Sequence, residues 1–160
     1  QGSVTYAGSK AGGATASYGS MHHPFIGGET EVWTDMQLRT SYTGDPDTAP
    51  PAGSSFAFFA STNGHVIALT STNAVDTGVT VAENTWTRFT VHSKYAEKTY
   101  ELYINGVSAG VYGFYDLSAA EYTEFGIKTA ASNYVDEINI SVLPPEGLDR
   151  GPMPTLFLFK

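Results

Sequence analysis

Two stretches of the chain carry the side chains best suited to holding a ligand. Trp33, Asp35, Gln37 and Arg39 recur at every second position of one, and Trp86, Arg88 and His92 fall in step along the other. At a two-residue period each set stands on one face of a strand. Aromatic rings stack on the apolar faces of pyranoses, while guanidinium, carboxylate and amide groups hydrogen-bond their hydroxyls. Laid side by side, the two sets would make a sugar-binding surface. An ordinary solvated sheet face, with each tryptophan covering an edge or filling a corner of the core, has the same pattern.

Other chemistries find less material. The adjacent His22 and His23 would point to opposite faces of a strand, so both ligating one metal is awkward and loop packing is the expectation. His65 stands alone in sequence, as does His92, and both read as surface or edge residues. No Gly-x-Ser-x-Gly, phosphate-binding loop or His-Glu-x-x-His pattern occurs.

The elements that must position these residues are strands. From Glu29 onward Val32, Thr34, Met36, Leu38 and Thr40 alternate with the Trp33 set, which predicts a long strand with one apolar face. In 86–107, Phe89 and Val91 alternate with Arg88, Thr90 and His92; then Tyr100, Leu102 and Ile104 alternate with Thr99, Glu101 and Tyr103. This is a β-hairpin, and Asn105-Gly106 tolerates the positive φ of a tight turn that reverses the chain again. A second hairpin is expected over 55–70 across Thr62-Asn63-Gly64, and further strands near 111–114, 125–129 and 134–142. Short edge strands are read at Ser3-Val4-Thr5-Tyr6 and Thr15-Ala16-Ser17-Tyr18, a loop over 43–54, and a short helical turn at 117–122. No amphipathic helix of useful length is present.

Trp86, the polar hairpin after it and the run Leu102-Tyr103-Ile104-Asn105-Gly106-Val107 resemble the middle of laminin G-like domains of the concanavalin A-like lectin and glucanase superfamily. Tyr134-Val135-Asp136-Glu137-Ile138-Asn139-Ile140-Ser141 looks like the closing strand of such domains, with Gly113-Phe114-Tyr115 and Phe125-Gly126-Ile127 between. The resemblance spans residues 30–143 and implies an all-β jelly-roll sandwich of two antiparallel sheets, a fold often found in proteins that bind glycans or other extracellular ligands.

It also implies calcium as a possible cofactor. Asp45 and Asp47 are candidate loop ligands, with simple turn roles as the alternative. Asp136, read in phase with Ile138 and Ile140, would point into the sandwich as a metal ligand or as a hydrogen-bonded buried acid. The glucanases of this superfamily set acidic residues on an alternating strand so that carboxylates line one cleft. That pattern is missing: Glu121-Tyr122-Thr123-Glu124 lacks the central Asp, and Asp136-Glu137 are neighbours on opposite faces. A non-catalytic module is the expectation.

The chain has 160 residues, enough for one domain with its own core. Charged residues are 15% against 13% aromatics, so Ser, Thr, Asn and Gly must supply most of the solvated surface, which suits β-structure and a secreted, extracellular setting. Cysteine is absent, which removes disulfides and thiolate chemistry without fixing the compartment. A chain opening on Gln1 reads as a processed or trimmed terminus, and no apolar run approaches the ~20 residues of a membrane span. A net charge of −8, with the basic residues scattered singly, argues against nucleic acid and against heavily sulfated or carboxylated polysaccharides. Neutral glycans, another cell-surface ligand or a cation remain compatible.

After Val142 the character changes. Residues 144–154 are rich in proline and glycine and cannot pair continuously, and 155–160 form an apolar strand candidate through Leu156, Phe157, Leu158 and Phe159. The expected organisation is a laminin G-like domain at 1–143 and a linker with a C-terminal strand at 144–160. An apolar strand of this kind docks on its own sheet or on a neighbour's. The second functional reading is therefore a self-assembling extracellular fibre or surface-layer subunit that donates this strand to the next copy, forming a homopolymer.

Overall fold

The computed structural model describes residues 12–14, 19–21, 28–41, 49–123, 125–127 and 133–149. Among them the chain forms β1 (Gly12–Ala14), β2 (Gly19–Met21), β3 (Glu31–Arg39), β4 (Ala57–Ala60), β5 (His65–Leu69), β6 (Ala74–Thr80), β7 (Trp86–Lys94), β8 (Thr99–Ile104), β9 (Val107–Gly113), β10 (Phe125–Ile127) and β11 (Asn133–Ser141), with no helix. A six-stranded antiparallel sheet runs in the order β1-β11-β3-β7-β8-β9. It packs on a three-stranded sheet, β4-β5-β6, and β10 pairs with β2 in a small third ladder. The fold is an all-β sandwich, as the alternation predicts.

Alternation explains which side chains meet between the sheets. Val32 and Met36 of β3, Phe89 and Val91 of β7, and Tyr100, Leu102 and Ile104 of β8 point inward against Val66 and Ala68 of β5. Phe58 of β4 stacks on Phe89 with ring centroids 5.0 Å apart. Burying each large apolar side chain contributes roughly 1.5–3 kcal/mol. Tyr100 is fully buried and also ties the sheets together, its hydroxyl lying 3.0 Å from the Ala57 carbonyl and 2.9 Å from that of Leu69.

The turns follow local chemistry. Asn105 and Gly106 both take positive φ, 51° and 83°, which is the two-residue turn whose twist matches that of the flanking strands. The expected hairpin across Thr62-Asn63-Gly64 joins β4 to β5, with Ala60 opposite Val66 and Ala57 opposite Leu69. Strand β6 was not anticipated: Gly78 interrupts it at φ 75°, and its partly buried positions are taken by the small side chains Val75, Thr77 and Val79. Instead of a helical turn at 117–122, the chain makes a tight turn in which Asp116 accepts from the Ser118 amide and hydroxyl and from the Gly53 amide.

One sequence-based expectation is corrected by a β-bulge. Asp136 lies opposite Gln37 and Asn139 opposite Asp35, so β11 spends one more residue than β3 over this interval, with Glu137 at φ 52°. The extra residue inverts the alternation. Ile138 and Ile140 pack against the core, while Asp136 shares the outer face with Gln37 rather than pointing into the sandwich.

Residues 144–149 lie back against the sandwich. The Asp149 amide donates to the Gly106 carbonyl at 2.7 Å, and Asp149 makes an isolated parallel bridge with Val107. The expected strands at 3–6 and 15–18, His22, His23, Asp45, Asp47 and the strand at 155–160 with Leu156, Phe157, Leu158 and Phe159 lie outside the described residues.

Candidate functional site

The register of β11, β3, β7 and β8 sets the candidate residues in rows across the outer face of the large sheet. Because directly opposed residues of antiparallel strands project to the same side, Tyr134, Arg39 and Trp86 form one row. Asp136, Gln37 and Arg88 form the next, Asn139, Asp35, Thr90 and Tyr103 the third, and Ser141, Trp33, His92 and Glu101 the fourth. All the residues expected to bind a ligand thus share one surface.

The middle of that surface is a closed polar network. Arg88 donates from Nε to Asp35 Oδ1 and from Nη2 to Asp35 Oδ2, both at 2.9 Å, the bidentate fork geometry of the strongest ion pairs. Thr90 donates its hydroxyl to the same carboxylate at 2.5 Å, and Arg88 Nη2 also reaches the Glu146 carbonyl at 2.9 Å. This last contact fastens 144–149 to the sheet. Asp35 and Arg88 are therefore engaged with each other before any ligand arrives.

The fourth row is also largely occupied. Trp33 is only 6% exposed and its ring lies flat on that of His92, centroids 3.8 Å apart and planes 12° from parallel, with Tyr103 6.1 Å away. His92, expected at the surface or an edge, is 7% exposed, and its Nε2 sits 2.7 Å from Glu31 Oε2. Burial lowers its pKa below the ordinary imidazole value, against the opposing pull of Glu31. Trp33 is thus a structural ring rather than an open stacking platform.

The first row brings a planar cation between two aromatic side chains. Tyr134, Arg39 and Trp86 are all half-buried. The Arg39 guanidinium carbon lies 5.5 Å from the centre of the Tyr134 ring, within cation–π range, and its Nε donates to the Asn84 carbonyl at 2.9 Å. The Asn84 amide in turn donates to the Thr40 carbonyl at 2.7 Å, clamping the loop between β6 and β7 onto the end of β3. Asn84 takes φ 56°, a left-handed conformation that asparagine tolerates better than most residues. Two aromatic side chains flanking a fixed planar cation suit a flat polyhydroxylated ring.

Sequence alternation alone missed Tyr134, Asn84 and Glu31 as contributors to this face, and it set Thr90 there without its role as a donor to Asp35. Tyr134 was legible as part of a strand, but its place beside Arg39 depends on a pairing nearly a hundred positions apart. Among the described residues no group of three or more His, Cys, Asp or Glu side chains could hold a metal ion. Asp136 Oδ1 accepts the Glu137 amide at 2.9 Å across the bulge.

No family model and no curated protein matches the chain. Among solved structures, a chain titled "Sialidase" superposes with a TM-score of 0.55 at 10% identity, over 81% of this chain and 15% of that one. At that identity the likeness concerns the fold. The protein belongs to the class of two-sheet antiparallel β-sandwiches, an architecture compatible with concanavalin A-like jelly rolls.

Proposed function

We propose that this sandwich is a secreted, non-catalytic carbohydrate-binding module whose ligand lies across the Tyr134, Arg39 and Trp86 end of the outer face. The observation that carries this reading is that row: two half-buried rings beside a guanidinium already oriented by Asn84. The Asp35 and Arg88 network and the Trp33 and His92 stack serve as the rigid surface beside it. Similarity in fold to a small part of a protein titled as a sialidase is in keeping with an accessory sugar-binding role. Affinity electrophoresis through gels containing neutral polysaccharides tests it. Retardation by at least one polysaccharide, lost on Trp86→Ala and on Tyr134→Ala, is expected; retardation indifferent to both substitutions sinks the assignment.

A second reading rests on a different observation. Strand β9 ends the large sheet with Val107 and Val111 59% and 61% exposed, and Asp149 is bridged to Val107 just before the apolar run at 155–160. In this reading Leu156, Phe157, Leu158 and Phe159 of one copy add to β9 of the next. Deleting 150–160 would then abolish assembly in light scattering, whereas a full-length protein that stays monomeric at high concentration refutes it.

A further inference from the structure

The two arginines of the outer face are not equivalent. Arg88 spends its fork on Asp35 and the Glu146 carbonyl. Arg39 uses only Nε, toward the Asn84 carbonyl, and its guanidinium plane rests near the Tyr134 ring. Its two terminal nitrogens have no hydrogen-bond partner among the described residues, and no carboxylate there lies within ion-pair distance of it. A half-buried guanidinium held on one edge and open on the other presents two parallel N–H groups, the geometry that receives a planar carboxylate.

Building on the carbohydrate-binding reading, we propose that the Arg39 fork selects a sugar bearing a carboxylate, a uronic acid unit, with its ring against Trp86. The anion is a carboxylate rather than a sulfate or phosphate cluster because Arg39, whose terminal nitrogens are unpartnered among the described residues, meets it on a chain of net charge −8, which repels polyanions. A single carboxylate delivered within hydrogen-bond reach of Arg39 feels the guanidinium first, since the more distant charges are screened beyond about 8 Å at physiological salt. The clamp from Thr40 through Asn84 to Arg39 fixes the fork before the ligand arrives, which lowers the ordering cost of binding.

The test titrates isotope-labelled full chain at pH 7 with glucuronate and galacturonate, with glucose and galactose as neutral counterparts, and with acetate. The Arg39 side-chain N–H and the two tryptophan indole N–H signals report binding. Each effective uronate should bind at least about tenfold tighter than its neutral counterpart and than acetate, the order expected of one charge-assisted bidentate contact. Arg39→Gln should bring the uronate down to the neutral sugar's level, and Arg39→Lys, which keeps the charge without the fork, should lose most of the preference. If no uronate outranks its neutral counterpart while polysaccharide retardation persists, this inference falls and the binding reading stands. If retardation is absent as well, both fall. Acetate binding as tightly as the uronates means the fork takes any carboxylate, a peptide terminus included, and overturns the assignment to a sugar.

Discussion

Asp35→Ala probes the network beside the proposed site most sharply. The carboxylate accepts two hydrogen bonds from Arg88 and one from Thr90, and the Arg88 and Asp35 side chains are 25% and 19% exposed. Removing one partner of a fully buried ion pair costs about 3–5 kcal/mol, because the other charge stays desolvated and unpaired. Here roughly a fifth of each side chain reaches water, which rehydrates Arg88 in part and brings the expected loss to about 2–3 kcal/mol. For a domain of this size 1 kcal/mol corresponds to roughly 2–4 °C in Tm, so a fall of about 4–12 °C should appear by calorimetry, with a matching shift in the urea midpoint. Asp35→Leu combined with Arg88→Met, which removes both charges and keeps apolar bulk, should recover most of that loss. A loss below about 0.5 kcal/mol for Asp35→Ala, or a double variant worse than the sum of its parts, refutes the view of the pair as a desolvated, mutually dependent network.

Burial holds His92 below the ordinary imidazole pKa, so the unfolded chain binds a proton there more readily than the folded one. Stability from this site is complete well above about pH 6.5 and declines as the pH falls through and below that value toward the lowered folded pKa. Urea midpoints from pH 8 to 5 should drop more for the wild type than for His92→Gln, and parallel curves contradict the assignment. Tyr100→Phe removes the hydroxyl donor of the half-buried Ala57 and Leu69 carbonyls and should cost about 1–3 kcal/mol in urea unfolding without altering the far-ultraviolet spectrum. A Cβ on Gly106 would run into the Gly147 carbonyl at a φ of 83°. Gly106→Ala should therefore lower Tm and speed amide exchange at Asp149, whose amide bonds to Gly106; unchanged exchange there argues against the docking of 144–149. Trp33→Ala should reduce stability by about 3–5 kcal/mol, as large-to-small changes at buried aromatics do, and disturb sugar binding only through that loss.

Much of this architecture was legible because burial on one face writes a two-residue period into the chain. Val32, Met36, Phe89, Val91, Tyr100 and Leu102 announced the inner faces of β3, β7 and β8, and Asn105-Gly106 announced the turn that its positive φ values require. The same logic failed where the period itself breaks. The bulge at Glu137 inserts a residue that composition does not advertise, and it turned Asp136 from an apparent inward ligand into an outer-face neighbour of Gln37. Strand β6 escaped notice because Gly78 and small side chains give it little contrast between faces.

The site was legible as a face but not as a set of partnerships. Alternation put Trp33, Asp35, Gln37 and Arg39 together, yet whether each is free to meet a ligand depends on residues far away in sequence. Asp35 is claimed by Arg88 across 53 positions and Trp33 by His92. Arg39 is oriented by Asn84 and Tyr134, with its terminal nitrogens unpartnered among the described residues. Equal-looking members of one polar stripe thus separate into those engaged with one another and those proposed to meet a ligand only when the strands are paired.

The chain contains two tryptophans, which give the central claim a direct readout. With a polysaccharide fragment that retards the protein in electrophoresis, the Trp86 indole N–H signal should shift progressively and saturably while the Trp33 signal, buried against His92, stays within a small fraction of that change. Saturable movement of Trp33 with Trp86 unmoved, or no movement of either at saturating fragment, contradicts a sugar-binding surface at the Tyr134, Arg39 and Trp86 end of the sheet.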